Sequence, residues 1–309
     1  MRHRTDLPSL PVLYRSLTAG RGQSALYTRA VLRAARALLP FAALIAVLAI
    51  VWETAKLLGG DPIGDWRPPF SWKIASDLNM PHLWTIASSF VEPAQRNGPP
   101  LGVLLVTAAV FTFREAFGGF VFGAALGLGL AIVFVHSALL ERALVPYVVA
   151  SQTIPIIAIA PMVVIWLQAG WLSVAVISAY LTFFPVTIAG IRGLRSPDPR
   201  AIELMRSYAA SPRELLVKVR LPAAAPYLFT ALKVAATSSV VGAIIGELPS
   251  GIRDGLGGAI LNFNQYYISG PEKLWAAIIV AALLGIAFFA LVRAVEVAVL
   301  RGRLGGSAA

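Results

Sequence analysis

Few residues in this 309-residue chain have the type and spacing needed for covalent chemistry. There is no cysteine, which removes thiolate metal sites, disulfides and thiol catalysis. The three histidines, His3, His82 and His136, are scattered and have no acids clustered around them. An embedded enzyme would need a metal cluster, paired acids or a nucleophile beside its base, and the sequence spells out none of these. No Gly-x-x-x-x-Gly-Lys-Ser/Thr run occurs, so nothing here cradles a triphosphate. The expectation is a chain that is not an enzyme and carries no cofactor or metal of its own.

The polar residues that do concentrate lie in one segment, 192–222. Asp198 offers a carboxylate N-cap and Pro199 is preset for a first helical turn. Ile202, Met205 and Tyr208 follow at helical spacing, flanked by Glu203 and Arg206. Ala209 and Ala210 allow a turn. Ser211, Pro212 and Glu214 then read as a capping box that opens a second short helix. Leu215, Leu216 and Val219 give that helix an apolar stripe, and Leu221-Pro222 is expected to end it. Two short capped helices suit a docking knob for a soluble partner. An ordinary solvated loop is the alternative. A DNA-reading helix-turn-helix is excluded by the short helices and by the apolar sequence on both sides.

The elements that position this knob are membrane spans. Hydrophobic residues make up 58% of the chain and charged residues 13%, about half the usual soluble share. Between Ala143 and Ile191 there is no charged side chain, room for two spans of about 20 residues. The apolar runs predict an all-α membrane protein with about six transmembrane helices. These are Ala37–Leu58, Ala116–Phe134 (entering as early as Val103), Val145–Leu167, Trp171–Ile191, Ala223–Ile245 and Leu274–Val292. The domain plan is a basic segment 1–36, a first span 37–58, an outer segment 59–100, a core 101–300 and a tail 301–309. Gly119, Gly123 and Gly127 lie on one helix stripe and predict close approach of another backbone. Residues 81–94 have amphipathic spacing, and Trp66, Trp72 and Trp84 suit an interfacial belt. The outer segment reads either as an interfacial flap or as part of a partner surface.

Charge sets the orientation. The net charge is +11. Segment 1–36 carries +6, segment 192–220 carries +4 and the tail from Arg293 carries +2, whereas segments 53–115 and 247–273 carry −1 each. Positive segments stay on the cytoplasmic side, so both termini and the 192–222 loop are expected there, in a multi-pass inner-membrane protein. The same distribution explains the basic balance by the lipid membrane, without nucleic acid.

The 192–222 loop resembles the signature of binding-protein-dependent ABC importer permeases: Glu-Ala-Ala, three residues, Gly, nine residues, Ile, one residue, Leu-Pro. Here Glu203-Leu204-Met205, Ala209, Val219 and Leu221-Pro222 keep every spacing. Ala209 replaces the glycine, which could take a positive φ freely. Gln152-Thr153-Ile154-Pro155, Ala160-Pro161, Phe184-Pro185, Ser196-Pro197-Asp198-Pro199, Leu221-Pro222-Ala223-Ala224-Ala225-Pro226, Gly246-Glu247 and Gly255-Leu256-Gly257 resemble the nitrate, sulfonate, taurine, thiamine-precursor and riboflavin branch. The resemblance covers residues 101–295. It implies a type I ABC importer permease fold and a second permease as partner, as a homodimer. It also implies cytoplasmic ATPase subunits that bind the ATP and an external substrate-binding protein. Glu203 and Arg206 would make polar contacts around the coupling knob. Leu204, Met205, Tyr208 and Leu215 would fill the ATPase groove or anchor the knob, with Ala209 at its turn, and Leu221-Pro222 would pass motion into the next span. The expected solute is a small organic nutrient such as a vitamin precursor or other heterocycle; nitrate, a sulfonate or a taurine-like anion is the alternative.

Polar groups inside spans are costly and mark candidate solute paths. Here they are Gln152, Thr153, Tyr180, Thr182, Thr237, Ser238, Ser239 and Glu247. Each hydroxyl or amide could instead satisfy a neighbouring backbone carbonyl. Pro155, Pro161 and Pro185 are expected to interrupt their helices, and Lys233 to snorkel toward the cytoplasmic interface. Residues around Asn262, Asn264, Tyr266 and Tyr267 read as partner contacts. A secondary transporter or channel would need intramembrane acids or a filter loop, and the third and fourth spans contain no acid.

Overall fold

A computed structural model describes residues 39–95, 98–168 and 170–305. The basic segment 1–36, the first two residues of the expected first span and the last four residues of the tail lie outside them. The described chain is nearly all helical: α1 (Leu39–Gly59), α2 (Leu83–Ser89), α3 (Leu101–His136), α4 (Ala138–Ser151), α5 (Ile156–Leu167), α6 (Trp171–Leu194), α7 (Pro199–Ser207), α8 (Pro212–Leu215), α9 (Leu221–Ser250), α10 (Leu256–Gln265) and α11 (Pro271–Gly305). Among the described residues five helical runs are long and apolar enough to cross a membrane, and a bent pair, α4 with α5, makes a sixth. The chain divides into two compact units after Leu83.

In the first unit, α1 ends in polar anchors for the segment that follows. Glu53 Oε1 accepts the backbone N–H of Leu83 at 2.7 Å, and its Oε2 lies 2.7 Å from His82 Nδ1. Lys56, fully buried, pairs with Asp77. Trp52 donates its indole N–H to the Pro81 carbonyl at 3.0 Å. Trp66 and Trp72 remain about half exposed, as interfacial rings do.

The second unit is built on α3, α6 and α9. Gly119, Gly123 and Gly127 are all buried where α3 meets α6. A Cβ on Gly123 would stand 2.5 Å from the Ala179 carbonyl oxygen, and one on Gly127 at 2.5 Å from that of Phe183. From the other side, a Cβ on Gly242 of α9 would stand 2.8 Å from Ser178 Cα on α6. The glycine stripe is therefore a packing seam in which backbones touch, as small residues permit in lipid. A side chain there must force the helices apart. Around the seam, Ala116, Val174, Ala236, Val240 and Ala243 form a core that Phe288 of α11 closes, with its ring edge-on to Phe113 (5.1 Å) and Phe120 (5.0 Å).

Several sequence expectations change. The second span is a 36-residue helix, about 54 Å long at 1.5 Å per residue, well beyond the hydrocarbon core. The expected third span, Val145–Leu167, is two helices meeting at 99°. Pro155 causes the break, because the residue before a proline is driven out of the α region. Pro161 and Pro185 do not interrupt α5 and α6, nor does Pro146 interrupt α4. Neighbouring helices and hydroxyls tolerate the lost N–H. The last span runs on to Gly305, past the expected end at Val292. Lys233 does not snorkel: its ammonium donates to Glu296 of α11 at 2.7 Å, with both side chains largely buried. Glu115, counted with the outer segment by charge, sits inside α3 and is buried.

Two outcomes follow. Gly123→Val should lower the melting temperature of the purified protein, with a loss of about 2 kcal/mol or more from overpacking. Gly285→Val, where a Cβ on α11 would meet open space, serves as control. Lys233→Leu or Glu296→Leu alone should each cost about 3 kcal/mol, because the remaining charge is left unpaired. The double Leu variant should recover most of that loss, and thermal melts of the three proteins check it.

Candidate functional site

The 192–222 loop joins α6 to α9, two of the three seam helices. Its base is clamped. A Cβ on Gly193, near the end of α6, would lie 3.0 Å from Ala224 Cα, near the start of α9. Arg195 forms a two-armed ion pair with Glu141 of α4, one arm measuring 2.8 Å. A planar guanidinium fork matched to a carboxylate fixes orientation as well as charge. Ser196 donates to the Gly193 carbonyl at 2.8 Å.

From that base the caps anticipated from the sequence are in place. The Asp198 carboxylate accepts the Arg200 N–H at 2.8 Å and starts α7. Ser211 and Glu214 form the reciprocal capping box that starts α8, and Lys218 donates to Glu214 at 2.9 Å one turn later. Between the two helices, the Ala209 N–H donates to the Arg206 carbonyl and the Ala210 N–H to that of Met205. That pairing is a Schellman closure, which requires a left-handed residue at its centre. The residue is Ala209, with φ +54°. The turn thus keeps the glycine-type conformation with an alanine in it, at a cost of about 1–2 kcal/mol.

The apolar residues of the loop divide by exposure. Leu204 (57% exposed) and Tyr208 (76%) face outward beside Glu203 and Arg206, whereas Met205 and Leu215 are half-buried. The outward apolar pair is thus ringed by charge, and the half-buried pair packs beneath it. Leu221-Pro222 does not end the second helix as expected. Residues Leu216–Arg220 form a π turn, in which the Leu221 N–H reaches the Leu216 carbonyl, and the helix continues into α9. A proline ring clashes with the carbonyl four residues back, and widening the preceding turn relieves that clash. The loop is therefore joined to α9 by continuous helix.

The structure places the candidate path residues differently from one another. Thr153, Tyr180, Thr182, Thr237 and Ser239 each donate to a backbone carbonyl: those of Ala150 (2.7 Å), Ser151, Ser178 (2.9 Å), Val234 (2.8 Å) and Ala236 (2.8 Å). Ser238 is half-buried. Gln152 caps α4 at the 99° bend, and its amide nitrogen is buried with no partner among the described residues. Glu247 is fully buried. Its Oε1 accepts from the Thr112 hydroxyl at 2.6 Å and its Oε2 accepts the Gly257 N–H at 2.5 Å, while Thr112 Oγ1 accepts the Leu256 N–H at 2.8 Å. The Glu115 carboxyl lies against that of Glu247. Sequence reasoning missed this cluster because its two halves, Thr112 with Glu115 and Glu247 with Leu256 and Gly257, are far apart in the chain; an acid buried in an apolar helix at Glu115 was the available signal.

A second feature missed by sequence is an open cavity of about 1130 Å³ lined by the first half of α3, the end of α9 and α10, with Arg114, Arg253 and Asp254 in its wall.

Comparison with known proteins follows from this geometry. Residues 119–301, more than half of the chain, match the family described as binding-protein-dependent transport system inner membrane component. A probable ABC transporter permease protein of Haemophilus influenzae is 37% identical over 50% of this chain and 62% of its own length. The formylaminopyrimidine transport permease protein of Halalkalibacterium halodurans is 35% identical over 55% of this chain and 67% of its own. The riboflavin transport system permease protein of Chloroflexus aurantiacus is 32% identical over 62% and 71%. The match thus spans about three-fifths to seven-tenths of these relatives.

The strained turn gives a direct check. Ala209→Gly should increase hydrogen-exchange protection of the Ala210 amide and slow proteolysis within 199–215, by removing about 1 kcal/mol of left-handed strain. Ala209→Val should do the reverse, since a β-branched residue fits that conformation worse.

Proposed function

The chain belongs to the family of binding-protein-dependent transport system inner membrane components, and on that premise we propose that it is the membrane-spanning subunit of an ATP-driven importer. A small solute is delivered by an external binding protein and carried through paired permeases, while separate ATPase subunits bind and hydrolyse the ATP. The permease itself needs no cofactor. Both termini and the 192–222 loop face the cytoplasm, in keeping with the positive charge of those segments.

The observation that carries this reading is the loop: an outward Leu204–Tyr208 pair on a doubly capped knob, clamped at its base and continuous with α9. Closure of two ATPases around such knobs moves α6 and α9 together, and two packings of the spans are exchanged. That is a two-state element biased by ligands, as coupling between distant sites requires. Glu203 and Arg206 orient the knob in the ATPase groove, and Leu204 and Tyr208 fill it.

The solute is a small organic nutrient. Greater identity to the formylaminopyrimidine and riboflavin permeases than to those named for sulfonate or nitrate favours a heterocycle such as a vitamin precursor. A sulfonate-like or nitrate-like anion is the alternative. Gln152, with an unsatisfied amide at the α4–α5 bend, is the strongest of the candidate path residues; those bonded to backbone carbonyls rank behind it.

The permease should co-purify with an ATPase whose hydrolysis is stimulated by loaded binding protein. Glu203→Lys should leave the permease in the membrane at normal level but reduce stimulated hydrolysis and uptake at least tenfold, the loss of about 1.4 kcal/mol of coupling. Normal uptake by this variant, or solute movement by the chain without ATP, would sink the reading.

A further inference from the structure

The cavity at the outer end of α3 contains two cations that nothing above employs. Arg114 is exposed on α3 and Arg253 stands on the short loop between α9 and α10; both line the cavity, together with a single acid, Asp254. Among the described residues neither guanidinium has an ion-pair partner within 4 Å. Both side chains are exposed, so their charges are solvated and remain available to an incoming anion.

Both positions are rigidly held. Thr112, two residues from Arg114, and its neighbour Glu115 are buried against Glu247. The loop bearing Arg253 is pinned at one end by Gly251, whose φ of +70° caps α9, and at the other by the Thr112 and Glu247 bonds to the Leu256 and Gly257 amides. It also packs against the first turn of α10, where a Cβ on Gly258 would stand 2.8 Å from Arg253 Cα. The buried carboxyls of Glu115 and Glu247 lie behind the wall and do not line the cavity. Phe111 and Tyr266 add aromatic surface to the lining. Two guanidinium groups on held backbone positions beside aromatic rings suit a compact oxyanion attached to a small organic body, since guanidinium pairs with carboxylate, sulfonate or phosphate oxygens through parallel N–H bonds.

We propose that this cavity is an acceptor site for a small solute bearing an oxyanion group, held by Arg114 and Arg253. The proposal rests on the importer reading for its biological direction. It narrows the solute class to those with an acidic oxygen group, whether a simple sulfonate or a heterocycle that carries a carboxylate.

The absence of cysteine allows a test that involves neither ATP nor transport. Asn262, exposed and in the cavity lining, becomes the only thiol in Asn262→Cys. The protein is labelled in membranes with an anionic and with a cationic methanethiosulfonate, and each rate is divided by that for a surface thiol introduced at the exposed Ser88. The anionic reagent should react about tenfold faster than the cationic one, the scale of local enrichment in a charged cleft. Arg114→Gln with Arg253→Gln should abolish that preference; Arg114→Lys with Arg253→Lys should keep it, which separates charge loss from misfolding. Ethanesulfonate should slow labelling, and neutral N-ethylacetamide should not. No preference, a preference that survives both glutamines, a thiol that neither reagent reaches, or equal protection by the amide would each overturn the proposal. Such results leave the importer reading standing, because that reading is decided by ATP-dependent uptake.

Discussion

Everything in the larger unit depends on α6 lying in backbone contact with α3 on one side and α9 on the other. Lipid gives apolar side chains no reason to leave it, so helices in a membrane associate through close packing. Here the closeness comes from missing Cβ atoms at Gly119, Gly123, Gly127 and Gly242. Backbone contact of this kind has few alternative registers, and it turns three long helices into one body. The remaining apolar side chains, many of them exposed on α1, α3, α4 and α11, suit lipid or a second copy.

The 192–222 loop inherits its rigidity from that body. It leaves α6 and enters α9 where Gly193 and Ala224 touch, and Arg195 ties the junction to α4. Local caps shape the knob, while the clamped base and the unbroken π turn tie it mechanically to the spans. A loop that was capped but loosely attached would absorb motion as hinge bending. The strain at Ala209 is affordable because the turn is determined from both sides, by a Schellman closure before it and a capping box after it.

At the opposite end, a buried polar cluster does comparable work. Thr112 and Glu247 satisfy the first amides of α10 and so fix the short hairpin that follows α9. Thr112 and Glu247 are satisfied there, whereas both Glu115 carboxyl oxygens are buried without a hydrogen-bond partner among the described residues. The satisfied bonds specify one arrangement, because breaking them strands further polar groups in a low-dielectric interior. Glu247, a path candidate by position in the sequence, is engaged in this scaffolding.

Much was legible from sequence because it depends on neighbours along the chain. The Asp198 and Ser211 caps, the apolar runs and the glycine stripe on α3 are local patterns, and local hydrogen bonding or helix periodicity enforces each of them. Family membership was legible for the same reason, since the loop signature runs over twenty contiguous residues. The sequence alone could not tell that Pro155 bends its span while Pro161 and Pro185 do not, that Lys233 meets Glu296, or that Glu115 and Arg114 face a buried acid and a cavity respectively. Those outcomes turn on which surfaces the folded helices bring together, across separations of 60 to 140 residues, and on whether a neighbour is present to satisfy a freed carbonyl or an isolated charge. The sequence by itself determined the apolar runs, the loop caps and the class of protein. Only the tertiary structure decided which charges are paired, which hydroxyls are already spent on the backbone and where an open, positively lined cavity remains, because pairing and burial are properties of packed neighbours and not of positions in a chain.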